Sequence, residues 1–201
     1  MIFSIDVRQR MTRSVQLVCP RCGLDRTGSE VVPGRWACAL GFPIVPLGEH
    51  DPMIVCDECG HTSDLGVLDV PTTAQLSVLL RDATIAALVL AVRSTPRSDA
   101  DRARAAATSV LGQAGFTDDV ERFSDELSNL ADEDASVRLG RVGHELTAFG
   151  KQGFLHRVAA VVSATEPIGG AQRDSLARIG CDLGMAAPHI NGILAVATMA
   201  A

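Results

Sequence analysis

Two copies of a short cysteine motif constrain this chain more than any other feature. Cys19 and Cys22 in "CPRCG" and Cys56 and Cys59 in "CDECG" each enclose two residues, and a glycine follows each pair. Two intervening residues let a tight turn direct both sulfurs toward one ion, and glycine allows the positive φ that such a turn needs. The four thiolates predict one structural Zn²⁺ bound by Cys19, Cys22, Cys56 and Cys59.

Other uses of these cysteines stay open at the level of sequence. A redox pair of the thioredoxin type needs a surrounding βαβ pattern, which neither motif has. A catalytic zinc needs an open coordination position, whereas four thiolates close the shell. His50 or His61 could also replace one cysteine as a ligand. The two remaining cysteines, Cys38 and Cys181, have no partner nearby in the sequence, and we expect both to be small buried residues.

The charge and apolar content of the 201-residue chain bear on its partners and location. The net charge is −6, and both halves share the acidic excess, so neither half has the basic surface of a typical nucleic-acid-binding protein. Asp6 and Arg8 interrupt the place where the apolar part of a secretory signal would lie. The apolar run 84–92 is far shorter than the roughly 20 residues that cross a bilayer. We therefore expect a cytoplasmic protein without a transmembrane segment, whose thiols stay reduced.

Two regions with different patterns meet near residue 70. Residues 1–70 contain short apolar runs separated by proline and glycine, which predicts strands at 15–18, 31–32, 36–40 and 53–55. This region has few large apolar residues, so we expect the metal to stabilise it. Residues 71–201 show apolar stripes at helical spacing. The predicted fold is a small β-rich zinc ribbon (1–70) followed by an all-α bundle of about seven helices (71–201).

The predicted helices follow from the limits of the apolar stripes. Thr117 is expected to cap the third helix. Gly150 is expected to end the fourth helix, which carries Phe149 on its apolar face. Pro188 suits the first turn of the last helix. The predicted ranges are 74–92, 98–113, 116–130, 139–150, 154–162, 176–184 and the segment from 188 onward.

Both regions resemble known types. Residues 1–65 resemble a bacterial zinc ribbon in which a Pro-x-x-Pro stretch, here Pro43–Pro46, lies between the two cysteine pairs. The segment "GFLHRVAAVVSATEPIGGAQRDSLARIGCDLGMAAPHINGIL", residues 153–194, resembles the TerB-like tellurite-resistance family. The second resemblance implies an all-α bundle of two related helical halves and a role in tellurite resistance or another stress response.

The loops that carry acidic residues in the TerB-like family differ in this chain. Thr165 and Gln172 stand where the family has Asp and Glu, and Glu166 replaces a glycine. In the first half of the bundle, the corresponding loop has Asp99 nearby and keeps almost none of the motif. A hard cation would find few oxygen ligands in such loops. We therefore transfer the fold, and no second metal site, from this resemblance.

The remaining features favour a protein that binds another protein. The acidic stretch 118–135 is expected to be either a solvated helix face or a docking surface for a basic partner. The chain has no glycine-rich phosphate loop, no G-x-S-x-G and no H-E-x-x-H, so we expect no enzyme. The leading hypothesis is a zinc-binding adaptor for a protein partner. The alternatives are a nucleic-acid-binding or transcription-associated ribbon and a thiolate-based sensor of metals or oxyanions.

Overall fold

A computed structural model describes residues 3–39, 42–164 and 168–199 of the chain. The contacts within it divide the chain into two compact units, Met1–Gln75 and Leu76–Ala201. We call them the β unit and the helical unit. An antiparallel sheet followed by seven helices confirms the predicted order of a small β-rich region and an all-α region.

The β unit is built around one long central strand. Its strands are β1 (Phe3–Cys19), β2 (Leu24–Ala39), β3 (Phe42–Glu49), β4 (Met53–Cys56) and β5 (Thr62–Ser63). All pairings are antiparallel, and β1 pairs with β2 along almost its whole length. The other edge of β2 pairs with β4 at residues 28–31 and with β3 at residues 34–39. β5 then pairs with β4.

The strands are longer than the sequence predicts, because several presumed turn residues lie inside them. Gly28, Pro33 and Gly34 are part of β2, and Pro43 and Pro46 are part of β3. Pro33 lies between the β2 segments that pair with β4 and β3, so its missing N–H removes no hydrogen bond along that edge. β3 pairs only with β2 among the described strands, and an edge strand tolerates proline on its open side.

Seven helices form the rest of the described chain, as the sequence predicts. They are α1 (Thr73–Arg93), α2 (Ala100–Gln113), α3 (Val120–Asn129), α4 (Asp132–Glu145), α5 (Ala148–Ser163), α6 (Gly170–Asp182) and α7 (Ala187–Met199). Ala83 and Ile85–Val92 of α1 are buried in the core of the helical unit, where α2 to α7 all contribute apolar side chains. An apolar helix buried around most of its circumference is typical of the centre of a bundle.

The same helix bears on the membrane prediction. One described helical segment, Leu65–Arg93, is long and apolar enough to cross a bilayer by length and composition, and half of its most apolar window is buried inside the structure. A buried core helix has the same composition as a membrane span. The expected lack of a transmembrane segment therefore stays a prediction.

The predicted boundary between the fourth and fifth helices is wrong. α4 ends at Glu145, and Thr147 caps α5 by accepting a hydrogen bond from the N–H of Gly150 at 3.1 Å. Gly150 therefore belongs to the first turn of α5, and the side chain of Phe149 is 83% exposed. The predicted cap at Thr117 is also wrong, because this residue lies in a short 3-10 turn before α3. Between α4 and α5, therefore, the side-chain cap of Thr147 marks the helix boundary, and Gly150 does not.

Candidate metal centre

Both cysteine motifs form the same turn at the end of a strand. β1 ends at Cys19 and β4 ends at Cys56. The N–H of Gly23 donates to the carbonyl of Cys19 at 2.8 Å, and the N–H of Gly60 donates to the carbonyl of Cys56 at 2.9 Å. The two glycines have φ of 67° and 68°. This left-handed conformation is costly for a residue with a side chain, so the glycine after each cysteine pair allows the turn.

Strand pairing brings the two turns together. Gly28 of β2 lies directly opposite Cys56 of β4, and a Cβ atom on Gly28 would lie only 2.7 Å from a methyl carbon of Leu17. Glycine at this position therefore lets three strands approach closely. The four sulfurs of the two motifs lie within 4.8 Å of one another, and the sulfurs of Cys19 and Cys59 are 3.6 Å apart.

A small apolar cluster and several polar contacts support the strands that carry the cysteines. The buried members of the cluster are Leu17, Ile54 and Val67, with Val15 and Leu68 packed against them. Val67 belongs to a 3-10 turn after β5 that Asp64 caps. The hydroxyl of Ser29 donates to the carboxylate of Asp57 at 2.8 Å, which links the second turn to β2.

The two thiols of the first cysteine pair have pKa values shifted in opposite directions. The backbone N–H of Cys22 donates to the sulfur of Cys19 and, with the N–H of Arg21, lowers the pKa of Cys19 to about 7 against the opposing effect of burial. The pKa of Cys22 is raised to about 12, first by its hydrogen bond with Cys59 and second by burial. Neighbouring thiolates repel one another, so a bound divalent cation would stabilise all four in the ionised form.

The donor set fits one metal ion. Four sulfur ligands in a closed group are typical of structural zinc and of tetrahedral iron sites. Cys19 and Cys56 are buried, whereas Cys22 and Cys59 are half-buried. His50 and His61 are not members of the sulfur group. His61 contributes its carbonyl oxygen, which accepts a hydrogen bond from the N–H of Cys56 at 2.9 Å.

The other two cysteines differ from each other. Cys38 is buried in β2, as predicted, and its sulfur lies 3.8 Å from the carbonyl oxygen of Trp36. Cys181 is exposed on α6, so the prediction of a buried residue is wrong there. Ile179 and Gly180 beside it are buried, and the rotation of the helix places the next side chain on the outer face.

Three of the eight acids in the stretch 118–135 form ion pairs within the helical unit. The sequence alone does not show most of these pairs, because Arg81, Arg138 and Arg178 belong to other helices. Asp119 pairs with Arg81 (3.1 Å), Glu126 with Arg138 (2.6 Å) and Asp132 with Arg178 (2.6 Å), and each of these pairs connects two elements. Glu126 also pairs with Arg122 within α3 (2.9 Å). The docking-surface interpretation therefore rests on the exposed acids Asp118, Glu121, Asp125, Glu133 and Asp134.

The loops singled out by the TerB-like resemblance bring no acidic cluster together in the described residues. Asp99 accepts a hydrogen bond from the hydroxyl of Ser98 at 2.9 Å and lies 3.8 Å from Arg102. Gln172 accepts a hydrogen bond from the N–H of Gly169 at 2.7 Å and so caps α6. Thr165 and Glu166 lie outside the described residues.

The helical unit also contains an apolar cavity of about 180 Å³. Its lining is apolar apart from Thr84 and Arg157, and the hydroxyl of Thr84 already donates to the carbonyl of Leu80 at 2.7 Å. Sites for small ligands are commonly larger than this, about 300–1,000 Å³, and carry several convergent polar groups. The cavity therefore lacks the convergent polar groups that a catalytic site for a small ligand needs.

Comparison with models of protein families, with curated proteins and with solved structures found no match to this chain. The TerB-like family therefore stays an expectation from the resemblance of residues 153–194. At the ends of β1 and β4, four cysteines lie close enough together that they could hold one metal ion.

Proposed function

We propose that this chain is a non-enzymatic interaction protein in which one structural Zn²⁺, bound by Cys19, Cys22, Cys56 and Cys59, stabilises the β unit. The observation that carries the proposal is the group of four sulfurs within 4.8 Å of one another. A complete set of four protein ligands leaves no coordination position for a substrate, which favours a structural role over a catalytic one.

Zinc is the metal we propose because the ligands are thiolates in a closed set and the two turns are alike. Iron can occupy the same ligand set. Elemental analysis of purified full-length protein should find one zinc per chain. Stoichiometric iron with visible charge-transfer absorption would replace zinc in the proposal, and a metal-free but fully folded protein would contradict it.

The adaptor role is supported by exposed apolar side chains on the β unit and exposed acidic side chains on the helical unit. The β unit extends a long hairpin with apolar side chains on its surface, and α3 and the start of α4 carry exposed acids. A role in tellurite resistance or another stress response, and the TerB-like assignment itself, rest on the resemblance alone. In a pull-down from an extract of the native cell, the metal-loaded protein should capture partners and the chelated protein should not. Equal capture by both would show that the metal does not support the binding surface.

A sensor is the second candidate, because Cys22 and Cys59 are only half-buried. An oxidant or an oxyanion could reach these sulfurs, and oxidation of a zinc-bound thiolate releases the metal. Zinc release under mild peroxide or tellurite would support this function. Retention of zinc under the same treatment, while Cys181 is modified, would exclude it and leave the structural role.

A further inference from the structure

One edge of β1 is open along its N-terminal half, the half farther from Cys19. Among the described strands it pairs only with β2, at one end of the sheet. The pairing register runs without interruption from Phe3 to Met11 and shifts between Met11 and Arg13. We call residues 3–11 the β1 edge segment. It contains neither proline nor glycine, and its described side chains are exposed.

The opposite edge of the same sheet is protected in ways that β1 is not. β3 contains Pro43 and Pro46 and shifts register twice against β2. Prolines and bulges are, with charged side chains, among the features by which natural sheets prevent an edge strand from pairing with another chain. A straight edge segment without them presents free N–H and C=O groups in the spacing of a strand. The β1 edge segment is therefore the one of these two edges that can accept a further strand.

The charges of the β1 edge segment are complementary to those of a second copy. Asp6 and Arg8 flank Val7 and lie 3.5 Å apart on one face of the strand. If two copies pair antiparallel with Val7 on the two-fold axis, Asp6 of each copy lies opposite Arg8 of the other. Val7 is also the midpoint of the uninterrupted segment 3–11. A two-fold axis through Arg8 would instead place two arginines opposite each other, which is unfavourable.

The opposite face of the segment is exposed and, apart from Gln9, apolar. Ile5, Val7 and Met11 project from this face and are 60%, 58% and 59% exposed. Ala37 of β2 lies opposite Ile5, and Val45 of β3 lies opposite Ala37. Pairing across the axis would place Val7 of one copy beside Val7 of the other and continue this apolar surface into the second copy.

We propose that the chain forms a two-fold symmetric dimer in which the β1 edge segments of two copies pair antiparallel, with Val7 on the axis. Main-chain hydrogen bonds supply the attraction, as in other cases of strand addition. The pairs between Asp6 and Arg8 select the register, because exposed ion pairs contribute little affinity of their own. The dimer goes beyond the adaptor role, since it requires no other protein.

Charge reversal tests the register directly. Sedimentation velocity of metal-loaded full-length protein, in a concentration series up to about 1 mM, should show the mass rising from 21.1 kDa to twice that value. Asp6→Arg alone and Arg8→Asp alone should each weaken dimerisation by about 10- to 100-fold, because like charges then lie opposite each other. An equimolar mixture of the two variants should form a heterodimer, since its cross-strand pairs are again opposite in charge.

Glu49→Arg is the matched control, because it makes the same charge change at an exposed position on β3. It should dimerise as the unaltered chain does. Zinc content and the fluorescence of Trp36 are measured in every variant, so that loss of the dimer is distinguished from loss of the metal-stabilised fold. An unaltered chain that stays at 21.1 kDa throughout, a dimer that Asp6→Arg leaves intact, or a mixture that does not reassociate would each overturn the proposal.

Discussion

Removal of the metal is expected to unfold the β unit and to leave the helical unit folded. The cluster that supports the cysteine strands has three buried side chains, Leu17, Ile54 and Val67. Burial of three aliphatic side chains of this size contributes roughly 5–9 kcal/mol. Binding of a structural zinc ion in a small module contributes about 10 kcal/mol or more. The metal is thus the larger contribution, and the β unit should not stay folded without it.

The chain carries its own reporter for this experiment. Trp36 is the only tryptophan, and it lies half-buried in β2. Chelation of the metal, or the substitution Cys19→Ser, should shift the fluorescence of Trp36 to that of a solvated indole. The helical circular-dichroism signal and its thermal midpoint should stay unchanged, because the helical unit has its own large core. The two signals therefore follow the two units separately.

Two substitutions control for the loss of a thiol. Cys38→Ser and Cys181→Ser should each keep one metal per chain, because neither sulfur belongs to the group of four. Complete removal of the metal without any change in the fluorescence of Trp36 would refute the reasoning, since the apolar cluster would then suffice. Collapse of the helical signal together with the fluorescence would refute the independence of the two units.

Four further outcomes are expected. Gly28→Ala should destabilise the β unit by about 1–3 kcal/mol in urea unfolding, because the added methyl group would overlap a neighbouring side chain. Gly143→Ala should destabilise the helical unit by a similar amount, since its Cβ would lie 2.7 Å from a carbonyl oxygen. Gly153→Ala is the control, because it has open space around it and should not lower the free energy of unfolding. Arg93→Lys should lower the free energy of unfolding by about 1–2 kcal/mol, because the guanidinium donates to three carbonyls at the end of α3 and an ammonium lacks that geometry. Metal binding at pH 7 should release protons and weaken at lower pH, because the thiol of Cys22, with its pKa raised to about 12, must lose its proton; calorimetry in two buffers that shows no proton release would contradict this.

The parts of the fold that could be predicted depend on short-range patterns. The cysteine turns need only two intervening residues and a following glycine, so their shape is encoded locally. The helices follow from apolar stripes that repeat over three or four turns, and their number is confirmed. Burial of α1 also follows from its own sequence, because a segment that is apolar on most sides must be surrounded by other helices.

The errors arise where neighbours distant in the sequence decide the outcome. Pro33 and Gly28 indicate turns when read locally, but pairing with β1 holds both in an extended conformation, and β4 also pairs with β2 at Gly28. Phe149 fits the apolar stripe of the preceding helix, yet the cap at Thr147 begins a new helix before it. Asp119 belongs to a stretch that looks solvated, although Arg81 of α1 pairs with it in a buried position.

The continuity of β2 has a mechanical consequence. At about 3.3 Å per residue, its 16 residues extend for about 50 Å from the end of the first cysteine turn to Ala39. β1 pairs with β2 along almost this whole length, so a force applied at the Ala39 end would be transmitted along two hydrogen-bonded strands toward the cysteines. A protein that pulls on the Ala39 end would therefore also strain the turn of Cys19 and Cys22, and with it any metal ion held by the four sulfurs.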